Sequence, residues 1–330
     1  MLLRFFNSAY LSRFLFALVI AVVIWFPSFV VPVKPVMPQW QAPLYSLYLA
    51  IPVKFVWFDT LTAFLLTLAT GLVINALAVN FGLSGKTSYV SFFLYLLFAS
   101  SLHRFTRMLP VIFINFLLAL FLFNLFGTAQ AGNNRIKSFN GGLLVGLMTL
   151  FYPPMIILLA VRFLGLVSHR INDLRSFLSV LLGVVTPFLY LFAYAFWTDG
   201  LQEVADNCLH ISNAGFSVVM PSDIISISVL VLILILFVSA LFTGYKNLYR
   251  RKILKRRNVS IIIYLSVFLA VIYLFLSDDL QFFALLFVPA AVAVNDYLRF
   301  VKRKKLSETA IFVLLVLVLF DHYLYLYNAY

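Results

Sequence analysis

The chain has very little charge. Only 11% of its 330 residues are Asp, Glu, Lys or Arg, while 64% are hydrophobic. A water-soluble domain carries roughly 25% charged residues, so a soluble fold is excluded. Cysteine is nearly absent too: the single Cys208 rules out an internal disulfide and a Cys-rich metal site. The four histidines, His103, His169, His210 and His322, are scattered, and no metal site stands out. There is no Gly-x-Ser-x-Gly elbow, no cofactor-binding motif is evident, and no loop is long enough for an ATPase domain. Acid is scarcest at the start of the chain, where Asp59 is the only carboxylate before Asp173.

What is present is a series of long apolar runs, the signal of membrane-spanning helices. Alternating ten-residue segments of the barrel type are absent. The sequence therefore predicts an all-α, polytopic helical membrane protein, with residues 1–330 forming a single integral domain. The net charge of +13 is placed at the ends of the apolar runs. There it sets topology and attracts anionic lipid, and it does not predict a nucleic-acid partner.

The densest basic cluster, within 245–258, holds seven Lys and Arg residues and no acid. It belongs on the cytoplasmic side, as does 299–305. Arg4 precedes the first apolar run, about Leu11 to Val31, Arg13 lies at its start, and both put the N-terminus in the cytoplasm. That run lacks a small-residue cleavage site and reads as a retained span. The following outer loop, 32–56, is broken by Pro32, Pro35, Pro38, Pro43 and Pro52. Within it, Ala42 to Ile51 reads as a short helix in the membrane interface with its tyrosines at headgroup level. Spans over 57–79, 87–102 and 108–126 follow.

Parity then forces a decision. With a single span over 141–161 the 245–258 cluster would face outward. Tyr152-Pro153-Pro154 supplies a break, which splits the region into short helices over 139–152 and 154–167. Gly141, Gly142 and Gly146 permit these to pack closely. The result is about eleven crossings with the C-terminus outside the cytoplasm. The second outer loop, 198–221, is acidic. Of the 24 Lys and Arg residues only Lys34, Lys54, Arg104 and Arg107 fall outside.

Those exceptions carry the functional reading. His103, Arg104 and Arg107 share one outer loop, and a guanidinium fork beside an imidazole suits a phosphate headgroup. Pairing with nearby acids or with bulk lipid phosphate explains the same charges. Asp59, at the outer end of the second span, suits a catalytic base or a plain helix-start residue. Asp199, Glu203, Asp206 and His210 form a candidate outer cleft or a solvated acidic connection. Gly82-Leu-Ser-Gly85-Lys86-Thr87 has the tail of a phosphate-binding loop, but Asn80 stands where its first glycine belongs, and it reads as a loop between spans. The tyrosines Tyr323, Tyr325, Tyr327 and Tyr330 read as an interface belt.

Two resemblances attach to these residues. The stretch from Phe139 through Gly141, Gly142 and Gly146 to Tyr152-Pro153-Pro154, with Asn115 before it, resembles an uncharacterised family of Gram-negative inner-membrane proteins. The same Gly-rich helix pair is similar in style to polyprenyl-phosphate-dependent GT-C glycosyltransferases. That resemblance implies an active site on the outer side, with Asp59 as the essential acid and Arg104 and Arg107 on a lipid-linked phosphate. The chain departs from that family in having no acid in the loop directly after its first span. The sequence thus predicts a protein of the bacterial inner membrane, acting in cell-envelope biogenesis on a polyprenyl-phosphate-linked sugar, with membrane lipids as partners. The alternatives are a non-enzymatic subunit of an envelope export or assembly complex, and a lipid or solute transporter.

Overall fold

A computed structural model describes residues 11–32, 43–50, 55, 57–84, 88–128, 133–171, 173–198, 221, 223–277, 279–301 and 304–329. Among them the regular structure is all helical. The α-helices are α1 (Leu11–Val30), α2 (Pro43–Leu49), α3 (Phe58–Asn80), α4 (Val90–Ala99), α5 (Pro110–Gly127) and α6 (Asn134–Phe151). They continue with α7 (Leu158–Ser168), α8 (Leu174–Trp197), α9 (Ile224–Lys246), α10 (Ile253–Leu276), α11 (Phe287–Phe300) and α12 (Lys304–Ala329). Short 3-10 turns at His103–Phe105, Pro153–Ile157, Leu248–Arg250 and Leu280–Leu286 join some of them.

Among the described residues eight helical segments are long and apolar enough to cross a membrane. Their surface agrees with that solvent. On α1 the exposed residues Leu15, Val19, Val22 and Phe26 form one continuous apolar face, which water would not tolerate but lipid does. Several hydroxyls within these helices bond back to their own turn, as Thr67 does to the Ala63 carbonyl at 2.8 Å, which satisfies the donor where hydrocarbon offers no acceptor.

The centre is made from α4, the 3-10 turn at Leu280–Leu286 and the first part of α11. Every residue of α4 from Val90 to Phe98 is buried, as is the run from Leu280 through Asp296. Helices that are apolar all round belong inside. Phe98, Phe105 and Phe283 surround Phe287 at ring separations of 6.4, 5.6 and 5.7 Å. α4 is shorter than the expected 87–102 span: ten residues, or about 15 Å of helix.

The break at Tyr152 is present. α6 ends at Phe151, Tyr152 is extended, and a proline-started 3-10 turn leads into α7. The chain reverses there, since Arg162 of α7 reaches back to the Lys137 carbonyl near the start of α6 at 2.8 Å. Gly141 faces the expected neighbour, since a Cβ there would lie 2.6 Å from Arg162 Nε of α7, but Gly142 and Gly146 serve a different one. A Cβ on Gly142 would lie 2.1 Å from the Val180 carbonyl oxygen, and one on Gly146 2.6 Å from that of Val184. From the other side, a Cβ on Gly183 would lie 2.2 Å from the Phe139 carbonyl oxygen. Only hydrogen at these three positions lets the α6 and α8 backbones touch.

Contacts define two ends of the bundle. One gathers Ser28, Asp59, His103–Arg107, Tyr152, Asp223–Ser226 and Asp321–Tyr325. The other gathers Gly82–Ser84, Lys137, Arg251, Lys255 and Asn295–Arg299. The short helices α4, α6 and α7 run between these same ends.

Candidate functional site

At the first end a cavity of about 260 Å³ is lined by Ser28, Thr60, His103, Arg104, Arg107 and Tyr325, among others. Its floor is the link between α4 and α5. Leu102 leaves the helix in an extended conformation, and His103–Phe105 make a single 3-10 turn. Buried Leu102, Phe105 and Met108 pin this link into the core, so its polar side chains are held in place by their apolar neighbours.

The imidazole of His103 is oriented from behind. Its Nδ1 lies 3.1 Å from Asp321 Oδ2, and its backbone N–H donates to the same oxygen at 3.0 Å. Ser226 donates to Asp321 Oδ1 at 2.9 Å. A carboxylate only accepts, so Nδ1 donates to Asp321 and Nε2 is the ring nitrogen turned away from it. Tyr325 stacks on the ring at 4.4 Å. One turn of α12 thus supplies both the carboxylate that orients the histidine and the aromatic ring that covers it.

Cations complete the cavity. Arg104 is half-exposed and makes a loose 3.8 Å pair with Asp223. Arg107 has its Nε buried without a hydrogen-bond partner. On the opposite wall Ser28 and Thr106 share a 2.6 Å hydroxyl–hydroxyl bond, and Thr106 donates to the His103 carbonyl at 2.8 Å. Beneath, Ser100 accepts from Trp25 Nε1 at 2.8 Å, and its carbonyl accepts from His322 Nε2 at 2.9 Å. These buried bonds tie α1, α4 and α12 together under the site.

The expected residues divide into three groups. His103, Arg104 and Arg107 converge on the cavity. Asp59 stands beside it: the neighbouring Thr60 lines the cavity, while Asp59 Oδ1 accepts from Tyr48 at 2.5 Å. Tyr45 bridges the two regions, its hydroxyl pushed up by burial, raised further by the Asp59 charge and lowered by that of Arg107. Asp199, Glu203, Asp206 and His210 lie outside the described residues.

Three features add to the sequence reading. Tyr45 of α2 is fully buried and donates to the Met108 carbonyl at 3.2 Å, because α2 packs inward where a phenol finds an acceptor. Tyr325, read as part of an interface belt, lines the cavity. Asp321 and His322 are buried within α12. The signal for these two was present, since an adjacent acid and imidazole inside an apolar span carry a functional expectation.

At the second end the basic cluster is locked into the structure. Arg251 pairs with Asp296 at 2.5 Å, with side chains 3% and 5% exposed, and Lys255 approaches the other carboxylate oxygen at 3.5 Å. The Gly82 carbonyl accepts from Lys255 at 2.8 Å and from Arg299 at 3.1 Å. Gly82 stands at a φ of 69°, and the Leu83 and Ser84 carbonyls of the same loop accept from Asn295 at 3.2 Å and Arg299 at 3.1 Å.

A family model covers this whole arrangement apart from α1. The chain belongs to DUF6427, a family of unknown function. The match spans residues 41–329, so it takes in the His103–Asp321 pair and both arginines. No curated protein and no solved structure matches the chain.

Proposed function

We propose that this DUF6427 member binds a lipid-borne phosphate in the cavity at the His103 end and transfers the group that the phosphate carries. The observation behind this reading is a cation-lined cavity containing a carboxylate-oriented imidazole. Arg104 and Arg107 would hold phosphate oxygens, and the unpartnered Arg107 Nε offers a buried donor to one of them. His103 Nε2 would take the proton from an acceptor hydroxyl, while Asp321 stabilises the imidazolium that forms. For a lipid-linked sugar the hydroxyl oxygen then bonds to the sugar carbon as its bond to phosphate oxygen breaks. The phosphate leaves as an anion beside the arginines. The cavity is slightly smaller than the roughly 300–1,000 Å³ of ordinary ligand sites, which suits a headgroup whose chain remains in the bilayer. A sugar on a polyprenyl phosphate is the version favoured by the Gly-rich hairpin.

In this reading the eight long segments and three shorter ones make about eleven crossings. The Asp296 end, with its basic cluster, faces the cytoplasm, and the His103 end faces out of a bacterial inner membrane. The test is binding of farnesyl phosphate and farnesol to protein in zwitterionic nanodiscs. The expected result is a preference for the phosphate that falls about tenfold in Arg107→Gln, the loss of one charge-assisted contact. Equal affinity for phosphate and alcohol would sink the reading.

A further inference from the structure

The opposite end holds a second and larger cavity, of about 540 Å³. Its lining includes Thr243 and Asn247 from the end of α9, Arg251 and Lys255 around the start of α10, and Tyr297 and Phe300 from the end of α11. The charges here do not balance. Asp296 is shared between Arg251 and Lys255, which leaves that trio with one surplus positive charge. Arg299 adds another, held only by the Gly82 and Ser84 carbonyls. Arg251 Nε is buried and lacks a hydrogen-bond partner. Phe300 lies 4.8 Å from the Arg251 guanidinium and 5.7 Å from the Lys255 ammonium, so its ring covers both cations on one side. Asn247 Nδ2 donates to the Thr243 carbonyl at 3.0 Å, which fixes the amide and leaves its oxygen to accept from a ligand hydroxyl.

A surplus of positive charge, an unsatisfied guanidinium N–H, a neutral acceptor and an aromatic wall at one helix-end cavity suit a phosphate ester bearing hydroxyls. The volume lies within the range of ordinary ligand sites. Exposed Phe242, Tyr245 and Tyr249 flank the same ends of α9 and its 3-10 turn, an amphipathic collar of the kind that lies at a membrane interface. We infer that this cavity is a binding site for a phosphate ester with a hydroxylated substituent, delivered as the headgroup of an acidic glycerophospholipid. The site is distinct from the His103 cavity, and it does not rest on the group-transfer reading.

The test uses the full chain in phosphatidylcholine nanodiscs, with bound lipid counted by native mass spectrometry. Phosphatidylglycerol should be retained about tenfold more tightly than phosphatidylcholine. Lys255→Gln should remove most of that preference, as expected for loss of one charged contact, while Arg107→Gln at the other end leaves it intact. If Lys255→Gln does not fold, Asn247→Leu carries the same comparison, because it removes the neutral acceptor and leaves the ion pairs in place. A second arm titrates sn-glycerol 3-phosphate. Binding as tight as that of the lipid keeps the site and assigns a soluble ester as its ligand; weaker binding keeps the lipid. Equal retention of both phospholipids with no binding of glycerol 3-phosphate would overturn the inference, as would full preference in folded Lys255→Gln or Asn247→Leu protein.

Discussion

The two ends of the bundle each contain a buried carboxylate within reach of base, yet they use it differently. Asp296 binds an arginine and a lysine, so its charge goes into holding α10 against α11. Asp321 binds a histidine and a serine and leaves Arg104 to a loose 3.8 Å pair with Asp223. The difference shows that the number of cations at an end says little about its role. What matters is whether the local acid neutralises the cations or orients an imidazole beside them.

The sharpest way to break this contrast is to remove each carboxylate in turn. Asp296→Asn strands two basic side chains in the interior and should cost about 3–5 kcal/mol, read from SDS-induced unfolding in mixed micelles. Asp321→Asn removes an acceptor from a histidine and a serine and should cost less, about 1–3 kcal/mol, while leaving the phosphate preference of Arg104 and Arg107 in place. Equal losses of stability would erase the distinction.

A pH series sharpens the same comparison at the Asp296 end. His169, the residue that ends α7, is buried with neither ring nitrogen bonded. Burial, helped by the Arg257 and Arg162 charges, lowers its pKa to about 4. Between that value and the unfolded value near 6.5 the unfolded chain binds the extra proton. Stability is therefore complete above about pH 6.5 and declines as pH falls toward 4, by up to about 3 kcal/mol. His169→Phe should flatten that part of the profile, and an unchanged slope would show that the ring is not kept neutral by the fold. The smallest effect belongs to Arg104→Gln. Its pair with Asp223 is half-exposed and long, so unfolding should shift by less than about 0.5 kcal/mol; a larger shift would mean that Arg104, like Arg251, serves the scaffold.

Several of these features were legible in the sequence because they are local. Two adjacent prolines after Tyr152 mark the hairpin between α6 and α7, and three glycines mark a close helix approach. The cluster His103, Arg104, Arg107 stood out as positive charge on the wrong side. What could not be read was long-range. Gly142 and Gly146 meet α8, which no local pattern indicates. Asp296 finds Arg251 across 45 residues, and Asp321 finds His103 across 218. Asp321 and His322 were also hidden by their setting, because the apolar run of α12 outweighs two polar residues when hydropathy is averaged. The acidic loop around Asp199 to His210 lies beyond the described residues and plays no part in the contrast between the ends.

The shortness of α4 has a physical consequence for the membrane around it. Ser100, which follows α4, is bonded to Trp25 and His322. Those partners lie about 8 and 10 Å before the ends of α1 and α12. The link that carries His103 is therefore sunk into the bundle, walled by α1 and α12 and not by lipid. In the proposed orientation a lipid headgroup must dip below the outer ends of these helices to reach it. Bilayer thickness becomes a control on the site, because a thinner bilayer brings the headgroups closer to that depth.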